Sequence, residues 1–93
     1  MEVEEYANVW EALADTPAQA ANLSARSDLM IALRDRVTGW GVTQAEAARR
    51  LGLTQPRLND LMRGKLDKFS LDALVNLIPA AGLTLRLQVA EAA

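Results

Sequence analysis

The chemistry open to this chain is that of hydrogen bonds and charge. Its 93 residues contain no histidine and no cysteine. The commonest nucleophile, general base and metal ligands are therefore missing, and an enzyme would have to work with carboxylates, lysine or tyrosine alone. We expect no catalysis, no metal site and no cofactor. What the chain does offer is a dense set of planar and charged groups between Gln44 and Lys68. Carboxamides, guanidinium groups and a carboxylate in such a run match the edges of bases: Gln or Asn to adenine N6 and N7, Arg to guanine O6 and N7, Asp to cytosine N4. Further cations around them suit phosphates.

Groups of this kind act only if the backbone aims them, and Thr43 to Gly64, TQAEAARRLGLTQPRLNDLMRG, is built to do so. Thr43 and Glu46 make a T-x-x-E capping box, in which each side chain satisfies a backbone N–H left unpaired by the first helical turn. A helix starts at Gln44, with Ala47, Ala48 and Leu51 on one face, and stops at Gly52, which tolerates a positive φ. Thr54 caps a second helix with Pro56 in its first turn, where a missing N–H costs little. Leu58, Leu61 and Met62 give that helix an apolar underside. A small residue at the crossing, glycine in the turn and large apolar residues beyond it describe the helix-turn-helix pattern. The stretch resembles the DNA-binding domains of Cro and the phage repressors, including the glutamines at the start of both helices, Gln44 and Gln55. An ordinary helical hairpin with a glycine turn is the plainer reading of the same residues.

At about 100° per residue, the buried Leu58, Leu61 and Met62 leave Pro56, Asp60 and Arg63 pointing away, with Arg57 and Asn59 on the flanks and Gln55 at the tip. The N-terminal part of the second helix of such a motif enters the major groove. We therefore expect base contacts from Gln55, Arg57, Asn59 and Asp60, the last either accepting from cytosine or repelling wrong sequences. Phosphate contacts fall to Gln44, Thr54, Arg63, Lys65 and Lys68. Arg49 and Arg50 either add to these or only cover the surface of their helix.

The net charge of −2 hides an uneven distribution. Residues 1–30 carry Arg26 against Glu2, Glu4, Glu5, Glu11, Asp15 and Asp28, a balance of −5. Residues 43–68 carry six cations against Glu46, Asp60 and Asp67, a balance of +3. Two partners of opposite charge would explain this, although an acidic N-terminus also simply solubilises. The length suits one domain. With no apolar run long enough to span a bilayer and no signal-peptide pattern, a cytoplasmic protein that does not engage membranes is expected.

The remaining elements frame the motif. We divide the chain into an acidic N-terminal segment with a short docking helix, residues 1–15, and a domain over residues 16–93. Val9, Trp10 and Leu13 have helical spacing and are costly to leave in water, so they should dock on the domain or on a partner. Thr16-Pro17-Ala18-Gln19 is a second capping box with proline at the first helical position. It opens a helix from about Pro17 to Trp40 with Leu23, Met30, Leu33, Val37 and Trp40 along one side, ended by Gly39 and Gly41. Ser24 and Ser27 could instead cap a separate helix near Asp28. After the motif, Phe69 plugs the core and Ser70 caps a helix running toward Gly82. Pro79 inside it predicts a kink or an early end.

Residues 83–89, LTLRLQV, alternate in the period of a half-buried strand. A lone strand leaves backbone groups unpaired. Pairing with the same strand of a second copy across a two-fold axis, through Leu83, Leu85, Leu87 and Val89, solves this; residues 2–6 are the alternative partner, but their glutamates are poor strand formers. The expected fold is thus mainly α: a compact helical bundle with a central helix-turn-helix and one C-terminal β-strand pairing across a homodimer. Such a dimer would demand a palindromic duplex with half-sites roughly 34 Å apart.

The run LTQPRLNDLMRGKLDKFSLDALVNLIPAAGLTLRLQV, with N-V-W-E-A-L at Asn8 to Leu13, resembles the HigA-like antitoxins of the XRE family. The likeness includes the G-K…F-S-L-D-x-L segment and the closing G-L-x-L-x-L; Pro79 is a departure. It implies a dimeric repressor of its own operon that neutralises a RelE/HigB-like ribonuclease. The acidic N-terminal segment, with Val9, Trp10 and Leu13, would then hold a small basic toxin. A stand-alone phage or host repressor without a toxin, and a protein-binding adaptor, are the alternatives.

Overall fold

The computed structural model describes residues 15–92. Four α-helices order this part of the chain: α1 (Pro17–Trp40), α2 (Gln44–Leu51), α3 (Gln55–Met62) and α4 (Leu71–Ala80), with a 3₁₀ turn at Leu66–Lys68. Each α-helix begins at a hydroxyl cap. The side chains of Thr16, Thr43, Thr54 and Ser70 accept from the backbone N–H three residues on, at 3.1–3.2 Å, which is why these short sequences start where they do.

The α1 helix runs unbroken through Ser24 and Ser27, so the separate start near Asp28 is not used. Ser27 is buried instead. Gly39 stays helical, and the chain turns only at Gly41, whose N–H bonds to Thr38. The Thr16 box closes in a shifted form. The Gln19 carboxamide accepts from the N–H of Asp15, at 2.8 Å, rather than from that of the cap residue.

Met30, Leu33 and Val37 of α1 meet Ala47, Ala48 and Leu51 of α2, Leu58 and Leu61 of α3, Phe69, and Leu74, Leu77, Ile78 and Ala81 in one core. The α1 helix packs on α4, α3 and the 3₁₀ turn, while α2 packs on α3 and α4. Phe69 is 2% exposed, as expected of a plug. Two arginines of α1 reach across to backbone carbonyls beyond α3 and α4. Arg26 donates to Leu66 and Phe69 at 3.0 and 3.2 Å, and Arg36 to Ala81 and Gly82 at 2.9 and 3.3 Å. Each tether fastens a loop onto the long helix; the carbonyls of Phe69, Ala81 and Gly82 have no backbone donor among the described residues, while that of Leu66 also accepts from the N–H of Phe69.

The α4 helix ends at Ala80, with Pro79 in its last turn, two residues short of the expected Gly82. The N–H of Gly82 turns back to Pro79 and that of Leu83 to Ile78, which stops the helix. Beyond it residues 83–92 form no strand, and there is none among the described residues. The alternation is expressed only in its first half: Leu83 and Leu85 pack on the core, whereas Leu87 and Val89 stand 83% and 95% exposed. A ladder needs a second segment, and the described part of this chain offers none. The alternative pairing with residues 2–6, like the docking helix and Val9, Trp10 and Leu13, lies outside the described residues.

Candidate nucleic-acid interface

The site begins with α2. Thr43 caps it as expected, but the reciprocal half of the box does not form. The Glu46 carboxylate turns outward and takes Arg49 in a two-pronged pair at 2.8 and 2.6 Å, with Arg50 at 3.2 Å. Two guanidinium groups one helical turn away are stronger partners than one backbone N–H. The hydrogen bond from Arg49 is the main reason the Glu46 carboxyl is held down to about 2, helped by Arg50 and by the attraction of both charges against a smaller effect of burial. Arg50 also lies over the Trp40 ring, 5.0 Å from its centroid. Arg49 and Arg50 thus have partners within the domain, and the open group on α2 is Gln44, exposed at its N-terminal tip.

The turn is set by Gly52. At φ 69° it occupies the left-handed region; its N–H bonds to Arg49 and that of Leu53 to Ala48, at 3.2 and 2.9 Å. This pair of bonds is the glycine-terminated helix stop known as the Schellman motif. It swings the chain so that α3 crosses α2 over Ala47 and Ala48, both buried. A residue with a side chain beyond Cβ at that crossing would hold the helices apart.

The α3 helix presents the groups of interest. Thr54 uses its hydroxyl on the N–H of Arg57. Gln55, at the first helical position, is exposed and its side chain is not hydrogen-bonded among the described residues. Asn59 is half-buried and equally uncommitted. Asp60 faces Lys65 at 3.5 Å, so these two partly balance each other. Arg63 is exposed, with no ion pair among the described residues. Arg57 differs from all of these. It is half-buried, its guanidinium lies 4.1 Å from the centroid of Phe69, and it donates to the carbonyl of Lys68.

Gly64 follows α3 at φ 71°, where a Cβ would stand 3.1 Å from Nη1 of Arg34 on α1. The positive φ calls for glycine, whereas the end of the flexible Arg34 side chain would have to shift by only a few tenths of an ångström. The turn returns the chain to Lys65, and the 3₁₀ turn leaves the Lys68 ammonium exposed. Of the expected phosphate contacts, Gln44, Arg63 and Lys68 therefore have open side chains, Lys65 is shared with Asp60, and the Thr54 hydroxyl serves as a cap.

Two short helices, each capped by threonine and joined by a left-handed glycine, with the second carrying unengaged hydrogen-bonding groups, define a helix-turn-helix DNA-binding domain. The chain belongs to the family described as "Helix-turn-helix domain", whose model matches residues 12–90. No curated protein matches the chain. Among the described residues no helix is long and apolar enough to cross a membrane.

Two features of the site were not read from the sequence. The pairing of Glu46 with Arg49 and Arg50 was signalled by its three- and four-residue spacing, but the capping-box pattern competes for the same carboxylate. Phe69 as a platform for Arg57 had no local signal, since twelve positions and a turn of chain separate the two residues.

Proposed function

We propose that this protein is a sequence-specific transcriptional repressor that binds a palindromic operator as a homodimer, acting by recognition and not by catalysis. The observation that carries this reading is the first turn of α3, where Thr54 fixes the backbone and leaves the Gln55 carboxamide exposed and uncommitted. Gln55 is the first reader of bases, with Asn59 beside it, and Asp60 accepts from cytosine once Lys65 is drawn to a phosphate. Gln44, Arg63 and Lys68 set the register on the backbone.

The homodimer is supported by the C-terminal segment. Leu83 and Leu85 rest on the core, while Leu87 and Val89 continue the same alternation into solvent. A groove of about 570 Å³ lies beside them, lined by Ala25 and Leu29 of α1, Leu71 and Val75 of α4, and Leu85 and Leu87. Antiparallel pairing of two such segments would set the Leu87 and Val89 of each copy against the Leu85 and Leu83 of the other, turning unpaired backbone into a ladder.

The finer reading is an antitoxin that represses its own operon in the cytoplasm and neutralises a basic ribonuclease. Its support is the resemblance of residues 53–89 to HigA-like proteins and the acidic balance of residues 1–30. Selection of duplexes from a random pool, followed by footprinting at several salt concentrations, tests the repressor. A palindrome with half-sites one turn apart and a steep salt dependence are expected. Binding without sequence preference would overturn it. Light scattering on the same sample should give twice the chain mass. Co-expression with the neighbouring reading frame should bring down a small basic protein; if nothing is retained, the protein is a stand-alone repressor.

A further inference from the structure

We propose that Arg57 is a positioning residue: it fastens the loop that follows α3 to the first turn of that helix, and so sets Lys68 against the DNA backbone. The inference rests on the DNA-binding reading and assigns Arg57 a different task from its neighbours on α3.

The loop from Lys65 to Phe69 carries three charges and one aromatic ring. Its own backbone ties only its start to α3, through the N–H of Lys65 on the Asp60 carbonyl; beyond that it supplies short turn bonds, Leu66 to Gly64, Lys68 to Lys65 and Phe69 to Leu66. Two arginines hold it from different helices. Arg26, on α1, takes the carbonyls of Leu66 and Phe69. Arg57, on α3, takes the carbonyl between them, that of Lys68. The Phe69 ring is anchored in the core at 2% exposure, and the Arg57 guanidinium lies on it at 4.1 Å. A planar cation over an immobile ring, bonded at its edge to a carbonyl, has a defined orientation. It is also the one polar side chain of the first turn of α3 that is neither exposed nor serving as the cap.

Reading guanine takes both prongs of an arginine. Arg57 would have to leave the ring and release the Lys68 carbonyl to do this, which would free the loop that carries a phosphate contact. Gln55 and Asn59 face no such conflict. The arrangement therefore divides the work. Gln55 and Asn59 read bases, and Arg57 holds the adjoining cation at a fixed distance from them.

The test uses the full chain and the duplex that the wild-type protein selects, together with a panel in which each half-site base pair is changed in turn. Arg57→Gln should weaken binding to every duplex by a similar factor, about tenfold, with the order of base preferences unchanged. Lys68→Gln should weaken binding as well, and the double variant should lose less than the product of the two single losses, because the first change has already displaced the lysine. Arg57→Lys keeps the charge over the ring without the fork and should recover part of the loss, which also provides a readout if Arg57→Gln folds poorly. Loss of discrimination confined to one base pair would show Arg57 to be a base reader, and fully multiplicative losses would show two independent phosphate contacts. Either result overturns the proposal while leaving DNA binding intact. A wild-type protein that selects no duplex would remove the DNA-binding reading and this one together.

Discussion

The α2 and α3 helices are matched in length and in cap, eight residues each behind a threonine, yet they use their polar groups in opposite ways. On α2 the charges are settled inside the helix, with Glu46 between Arg49 and Arg50 and Trp40 beneath Arg50. On α3 the carboxamides of Gln55 and Asn59, and at its C-terminal cap the cation of Arg63, have no side-chain partner among the described residues. Their undersides differ in the same sense. The α2 helix contributes the small Ala47 and Ala48 to the crossing, and α3 the large Leu58 and Leu61. One helix is a seat and the other is a tool mounted on it. A surface group with a partner in its own helix has less to gain from a ligand than one without, so charge on a sequence is a poorer guide to binding than charge left over after folding.

The largest effect should come from unseating the tool. Leu58→Ala removes a side chain with no exposed surface and should cost about 2–5 kcal/mol, read as a lower denaturation midpoint; a loss near that of an exposed leucine would show that α3 is not held by its underside. The two helix-opening glutamines sharpen the comparison next. Gln55→Ala should relax discrimination at one base pair of each half-site by about 1–3 kcal/mol. Gln44→Ala should weaken all duplexes alike, as befits a helix that meets phosphates. Titration against the selected site and its single-pair variants separates them, and equal, uniform losses would erase the distinction between the helices.

The smallest effect concerns the charges of α2. The Glu46 carboxyl is held near 2 in the folded chain against an ordinary 4.5. Its ion pairs therefore contribute fully above the unfolded value, and the contribution fades as pH falls from about 4.5 through 2. Being exposed, these pairs are weak. Glu46→Gln should flatten that limb of the stability profile and, by releasing Arg49 and Arg50, slightly strengthen neutral-pH binding to all duplexes alike. A carboxyl that titrates at the ordinary value by NMR would show that Arg49 and Arg50 are not engaged, which would make them available to DNA.

Most of the local architecture was legible because its signals are local. Four hydroxyl caps, the stops after Trp40 and Leu51, and the apolar spacing of Leu58 and Leu61 each depend on residues within one or two turns of one another. Continuity of α1 through Ser24 and Ser27 was not, because burial of Ser27 depends on what packs over it. The same limit hid Arg26 and Arg36, which look like ordinary surface charges until the chain brings Leu66 and Ala81 to them. Glu46 was misjudged for another reason: two local rules compete for one carboxylate, and the outcome depends on their relative strength. At Leu83 to Val89 only Leu83 and Leu85 follow the expected period, since a ladder belongs to a pair of segments, and one segment's sequence specifies only half of it.

That segment carries a further consequence, for what happens when many copies meet. An extended stretch with Leu87 and Val89 bare is a template on which more chains can stack, and stacks of identical segments grow without limit when their rows of side chains are apolar or self-complementary. Here Thr84, Arg86 and Gln88 alternate with the leucines. In a parallel, in-register stack every layer would set Arg86 above Arg86, and the repulsion would rise with each added chain. An antiparallel pair meets that juxtaposition once at most. A single cation in the middle of the segment thus tolerates association by twos and penalises the filament.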